Sequence, residues 1–356
     1  MKKLISSMAL AAFFAGTTVF AEPNYTTTTH ATTGNDWTTT AAGWSSGAGA
    51  ASGATYEALT SSGTTVVRTP VNSSSTFPGD QLTIDGNGDI NINNSSLTTP
   101  GGDTAILQLK GNISNAVYTF NSFGALPGLV LNGGLVNFGG GAGGPTTQTS
   151  TFAGSIGVNA TSTFSNEVGF GGVVTSSSYV INALLSGNGT LNLEGIYNTP
   201  SASFSAPNFT VSNSSNTYTG SWNVIDSFLF GSAAGSLGTG NITLANHSVL
   251  ETAYTLDDFG ASLTLLGTGA KVDLNQNWTF NSMSFNGISL APGTYNEAQL
   301  ESALGMTSLN FTSDSTAFNT LSVIPEPSSS VLLLIGILGL GALFFRRRSH
   351  HALFGF

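Results

Sequence analysis

The sequence predicts an all-β chain whose central part is a parallel β-helix, a β-solenoid passenger held between two apolar terminal segments. Three observations lead there. Short β-type pieces recur between Gly, Asn and Ser turns, helix signals are nearly absent from the interior, and the 356 residues include 45 glycines, no cysteine and only 7% charged side chains. An ordinary globular domain carries roughly 25%. The pieces are Leu82-Thr-Ile84, Ile106-Leu-Gln-Leu109, Leu129-Val-Leu131, Ser155-Ile-Gly-Val158, Val180-Ile-Asn-Ala183, Thr190-Leu-Asn-Leu193, Ile242-Thr-Leu244, Leu263-Thr-Leu265 and Trp278-Thr-Phe280. Setting Leu82, Leu107, Leu129, Ile156 and Ile181 in line gives intervals of 25, 22, 27 and 25 residues, the length of one solenoid coil. Inward residues of a coil stack on those of its neighbours, so a strand of three or four residues need supply only one or two apolar positions.

The chain opens with Met1-Lys2-Lys3, a mainly apolar stretch from Leu4 to Phe20, and small residues at Val19 and Ala21 before Glu22-Pro23. This pattern predicts a secretory signal peptide over 1–21, cleaved by signal peptidase after Ala21. The rival reading, a retained N-terminal anchor, needs roughly 20 apolar residues and finds fewer. The next segment, 22–60, is rich in Thr, Ser, Gly and Ala, with Tyr25, Trp37 and Trp44 as its large anchors. It offers little apolar area against the entropy of ordering and is expected to be a loose cap or arm. Residues 61–322 form the predicted solenoid. The alternation fails from Trp222 to Phe230, where coil register is not readable. One short helix is expected over Tyr295–Leu304, with Asn296 as N-cap and Gly305 beyond its end, the alternative being a turn between strands.

At the other end Val323-Ile324-Pro325-Glu326-Pro327 leads into an uncharged run from Val331 to Phe345 and then Arg346-Arg347-Arg348. Fifteen residues at about 1.5 Å each cover roughly 22 Å of a hydrocarbon core of roughly 30 Å, so a single short transmembrane helix is predicted, extended by Ser328 to Ser330 or met by a thinned bilayer. The three arginines hold its C-terminal end in the cytoplasm and leave the passenger on the far side. Over Val323 to Arg348 the sequence resembles the PEP-CTERM sorting signal. That resemblance implies processing by an exosortase-type membrane enzyme at the Pro325-Glu326-Pro327 motif, and release or transfer to the cell surface or extracellular matrix. The tail over 349–356 departs from the usual pattern, which stops just after the basic cluster. A plain tail anchor is the alternative. An outer-membrane barrel strand ending at Phe356 is not, because the run does not alternate.

Several interior stretches are similar to autotransporter-associated β-strand repeats, whose parallel β-helices many such sorted proteins carry. They are Arg68-Thr-Pro70 with Phe77-Pro-Gly-Asp80, Leu129-Val-Leu-Asn-Gly-Gly134, Asn216-Thr-Tyr-Thr-Gly220 with Leu237-Gly-Thr-Gly240, and Trp278-Thr-Phe280 with Asn286-Gly287 and Gly293-Thr-Tyr295.

Between Glu22 and Ile324 there are 17 acidic residues against Arg68, Lys110 and Lys271. Such a balance weighs against nucleic acid, which needs clustered Lys and Arg. The lack of cysteine removes disulfides, thiolate metal sites and cysteine nucleophiles. Asp85-Gly-Asn-Gly-Asp89 has the alternating oxygens of a calcium loop, yet Ile90 and Ser96 stand where Gly and Glu are required, and a turn is the simpler reading. Asp257-Asp258, with Asp226, Glu251 and Asp273 in the same region, raise a carbohydrate-cleaving site, but neighbours in a strand face opposite ways and solvated loop acids are expected instead. His30 and His247 lack a second ligand at a metal-binding spacing, and His247 reads as a turn residue. Gly139 to Gly144 has no Lys and no following helix for a phosphate loop. The sequence thus predicts no catalytic residue, metal or cofactor. It predicts an exported structural or adhesive protein, with a polysaccharide-binding or polysaccharide-cleaving β-helix as the alternative.

Overall fold

A computed structural model describes residues 23–28, 36–60, 65–86, 105–110, 113–139, 147–169, 176–195, 208–267, 269–312 and 319–324. These residues are mostly strand, gathered in a 13-stranded and a 12-stranded sheet in which nearly every pairing is parallel. The stretches 147–152, 155–158 and 162–165 pair in order with 176–181, 184–187 and 191–194. Each pairing joins residues 29 apart, so one stretch of chain lies strand for strand on the next. Further on the offset contracts: Val224 pairs with Leu244, and Leu244 with Leu265.

The alternation of the short strands explains why they lie flat on one another. In Leu191-Asn-Leu193, Trp222-Asn-Val224, Ile242-Thr-Leu244 and Leu263-Thr-Leu265 the apolar residues are buried and the Asn or Thr between them is half-buried, because successive side chains point to opposite faces. Register then sorts each kind into columns. Val67, Leu107, Val136, Phe164, Leu193, Val224, Leu244, Leu265 and Phe285 follow one another from strand to strand and are all buried. On the opposite face Thr163, Asn192, Asn223, Thr243, Thr264 and Ser284 form a polar column, with Asn223 Nδ2 donating to Asn192 Oδ1 at 3.2 Å.

The intervals expected from sequence are corrected by this register. Leu82 pairs directly with Leu129, whereas Leu107 belongs to the other sheet, between Val67 and Val136. Apolar triplets of the two sheets look alike in sequence, so aligning them mixed strands that never meet. The stretch Trp222 to Phe230 also resolves into two ordinary strands, Trp222–Ile225 and Phe228–Gly231, with Asp226 at φ 48° turning the corner between them.

The 36–60 segment is not loose. Strand Thr55–Leu59 lies between Tyr25–Thr27 and Gln81–Asp85. The Trp37 ring meets Phe77 and Phe120 edge-on at 5.3 and 5.8 Å, and Trp44 meets Tyr56 at 4.9 Å. Two buried indoles supply the apolar area that their small neighbours lack. At the other end a helix runs over Glu297–Leu304. Asn296 Oδ1 accepts from the Gln299 N–H at 3.0 Å, Gln299 Oε1 accepts from the Asn296 N–H at 2.9 Å, and Gly305 closes it at φ 67°. This is the helix the sequence predicts, and its reciprocal cap explains why eight residues suffice.

Aromatic rings fill the middle of the core. Phe152, fully buried, stacks on Phe120 at 6.2 Å and meets Phe164 edge-on at 5.3 Å, while Tyr179 stacks on Phe209 at 5.1 Å. The Tyr179 hydroxyl donates to the Ser165 carbonyl at 2.7 Å, which satisfies its only buried polar atom. Replacing Phe152 by Ala is expected to cost about 3–5 kcal/mol of unfolding free energy, read as a lower urea midpoint at unchanged slope.

Candidate functional site

The acidic and histidine residues singled out by sequence fall into separate places. Asp226 sits at a corner where Oδ1 lies 3.1 Å from His247 Nδ1, and Oδ2 accepts from Asn246 Nδ2 at 2.9 Å. Asn246 shares the positive φ of Asp226, so the cluster ties two successive corners together, and His247 is the turn residue expected of it. Glu251 and Asp273 become register partners, with Asn275 Nδ2 donating to Glu251 Oε1 at 3.0 Å and Asp273 buried. Among the described residues no three His, Asp or Glu side chains gather as a metal site would require. Of the calcium-like stretch only Asp85 and Gly86 are described. Asp85 accepts from Asn132 Nδ2 at 3.1 Å, and burial raises its carboxyl pKa above the ordinary value while side-chain hydrogen bonding with Glu57 and Asn132 opposes the shift. Asn87 to Asp89, His30 and Gly140 to Gly144 lie outside the described residues.

Asp257 and Asp258 do face opposite ways, but they are not loop acids. Both belong to strand Leu256–Leu266. Asp257 is exposed and accepts from Thr279 Oγ1 at 3.1 Å, whereas Asp258 is 5% exposed. A bulge between Asp258 and Ser262 shifts the phase of the strand. Counting back by twos from Leu265 and Leu263 sends Asp257 inward, but between the pairs Asp258–Phe280 and Ser262–Ser282 the strand carries two residues more than its partner, the alternation is broken there, and Asp258 is the buried one. Burial pushes the Asp258 carboxyl up to about 6.

The register also assembles a cluster that sequence spacing hides. Arg68, Gln108 and Asn137 are successive partners across three strands. Arg68 is 8% exposed, and its Nε and Nη1 have no hydrogen-bond partner, as is true of Gln108 Oε1 and Asn137 Oδ1. Burial lowers the Lys110 ammonium pKa, and the nearby charge of Arg68 lowers it further. Two of the three interior cations are therefore neighbours, and among the described residues no carboxylate pairs with either.

The last described strand leads directly to the sorting end. Strand Leu321–Val323 lies between Trp278–Phe280, parallel to it, and Gly293–Tyr295, antiparallel. Leu321 and Val323 are buried, and the Ile324 N–H donates to the Phe280 carbonyl at 3.0 Å. The folded body thus runs to the residue before Pro325. Residues 323–348 match the family model of the PEP-CTERM protein-sorting motif. No curated protein and no solved structure matches the chain. The PEP-CTERM motif indicates an exported protein sorted to the cell surface through an exosortase-type enzyme. Its Pro325, Glu326 and Pro327, the run 331–345, Arg346 to Arg348, the 349–356 tail and the signal-cleavage residue Ala21 lie outside the described residues. Among the described residues no helix is long and apolar enough to cross a membrane.

The position of Asp258 fixes the sign of a pH effect. Its folded-state pKa, about 6, lies above the ordinary carboxylate value, so the folded chain binds the proton more tightly and stability falls as pH rises between about 4 and 6. Asp258→Asn is expected to be more stable than the parent at pH 8, with the advantage shrinking to nothing near pH 4. Urea unfolding at a series of pH values measures it.

Proposed function

We propose that this chain is a surface protein with a parallel β-helix passenger, exported by the Sec route, held briefly by its C-terminal span, and processed at Pro325-Glu326-Pro327. Its role is structural or adhesive, within a matrix of polysaccharide and protein, and it performs no catalysis. The observation that carries this reading is the PEP-CTERM match ending in Arg346 to Arg348, directly behind a body of in-register parallel strands. The likeness to autotransporter-associated repeats supports the β-helix: Leu129-Val-Leu131 and Trp278-Thr-Phe280 are strands, and Asn286-Gly287 is a turn of two positive-φ residues. An acidic, sparsely charged ladder suits such a role, since it presents extended polar faces that require little sequence information. Replacing Pro325, Glu326 and Pro327 by alanine is expected to leave the full-length chain in the membrane. Mass spectrometry of the medium then finds a mature C-terminus near Pro325 only for the parent.

A second reading, polysaccharide binding, is favoured by the Arg68 and Lys110 cluster. A carboxylate or sulfate of an acidic glycan would supply the counter-charge that Arg68 and Lys110 lack among the described residues, which a neutral sugar would not. The exported chain is expected to be retarded in a gel containing polygalacturonate and not in one containing dextran. Added salt should weaken the retardation and the Arg68→Gln, Lys110→Gln double variant should abolish it.

A further inference from the structure

The sorting motif starts with no spacer after a strand that is held on both sides. Thr320 accepts from the Trp278 N–H at 2.9 Å through its carbonyl, and its own N–H donates to Asn277 Oδ1 at 2.9 Å. Asn319 Nδ2 donates to the Leu274 carbonyl at 3.0 Å, and the hydroxyls of Ser322 and Thr294 lie 2.9 Å apart. Leu321 is fully buried and Val323 is 3% exposed, while Ile324 is 52% exposed. Burial therefore gives way to exposure within one residue, and the matched motif itself includes Val323 and Ile324.

An enzyme that cuts or transfers at a peptide bond takes its substrate as an extended strand, through the backbone N–H and C=O groups that a sheet edge would use. Upstream of Pro325 those groups are already committed to two neighbouring strands. Pro325 and Pro327 lack an N–H and offer no replacement. We propose that Leu321–Val323 is a latch on sorting: the exosortase-type enzyme engages the chain only after this strand has peeled from between Trp278–Phe280 and Gly293–Tyr295. The inference rests on the sorting reading and adds a positioning role for Leu321 to Ile324. The engaged fraction is the fraction of chains with the strand open, so processing is slowed by that factor.

The test follows processing of the full-length chain by pulse-chase in cells that carry the enzyme. Inserting Gly-Ser-Gly-Ser-Gly-Ser between Ile324 and Pro325 leaves the folded body untouched and frees the upstream residues, and is expected to shorten the processing half-time by about tenfold. The reverse variant pairs Thr294→Cys with Ser322→Cys in a chain that has no cysteine of its own. These positions are antiparallel register partners, a placement that admits a disulfide. Processing is expected to stop in the oxidised chain and return with a reductant. The latch is overturned if neither variant alters the half-time while the triple alanine at Pro325, Glu326 and Pro327 blocks processing, for the enzyme then works beside a closed strand. If the triple alanine is processed like the parent, the sorting reading fails and the latch falls with it.

Discussion

The constraint on which the rest depends is the parallel register between successive stretches of chain. Because each strand finds its partners one stretch earlier and one stretch later, every inward position must suit the residue above it and the residue below it. The column from Val67 to Phe285 meets that demand with nothing but apolar side chains. The opposite column meets it with Thr, Asn and Ser that hydrogen-bond along the stack. A strand of three residues is stable here because its neighbours supply the layers it lacks.

The same register accounts for where functional groups end up. It carries Arg68 next to Gln108 and Asn137, sets Glu251 beside Asp273, and links Asp226 to His247 across one corner. None of these meetings follows from local sequence. They are decided by loop lengths, which change from strand to strand, and loop length leaves no mark on the pattern of the strands it joins.

Much of the local structure was legible in the residues. Leu-Asn-Leu and Leu-Thr-Leu triplets announced strands, because a two-residue period is written directly into side-chain type. Asn296 and Gly305 announced the helix, because an N-cap side chain and a glycine beyond the last turn mark its limits, while the reciprocal bond from Gln299 emerged only in the fold. The PEP-CTERM end was legible because proline pairs, an apolar run and clustered arginines are rare in that order. Three things were not. The order of strands was hidden by the likeness of triplets in the two sheets. The burial of Asp258 depended on a bulge that Phe259 and Gly260 do not advertise. The firm seat of residues 36–60 depended on Trp37 and Trp44 reaching Phe77, Phe120 and Tyr56, contacts that a compositional average dilutes.

Each end of the 12-stranded sheet is closed by a short element. At one the chain crosses over so that the Trp37 N–H takes up the Arg68 carbonyl, and at the other a three-residue antiparallel strand, Gly293–Tyr295, stands outside the terminal strand. Bare outer strands would have served as templates for a second molecule. A second copy arriving end-on would meet at Gly293–Tyr295 an edge of only three residues, a short template for further pairing.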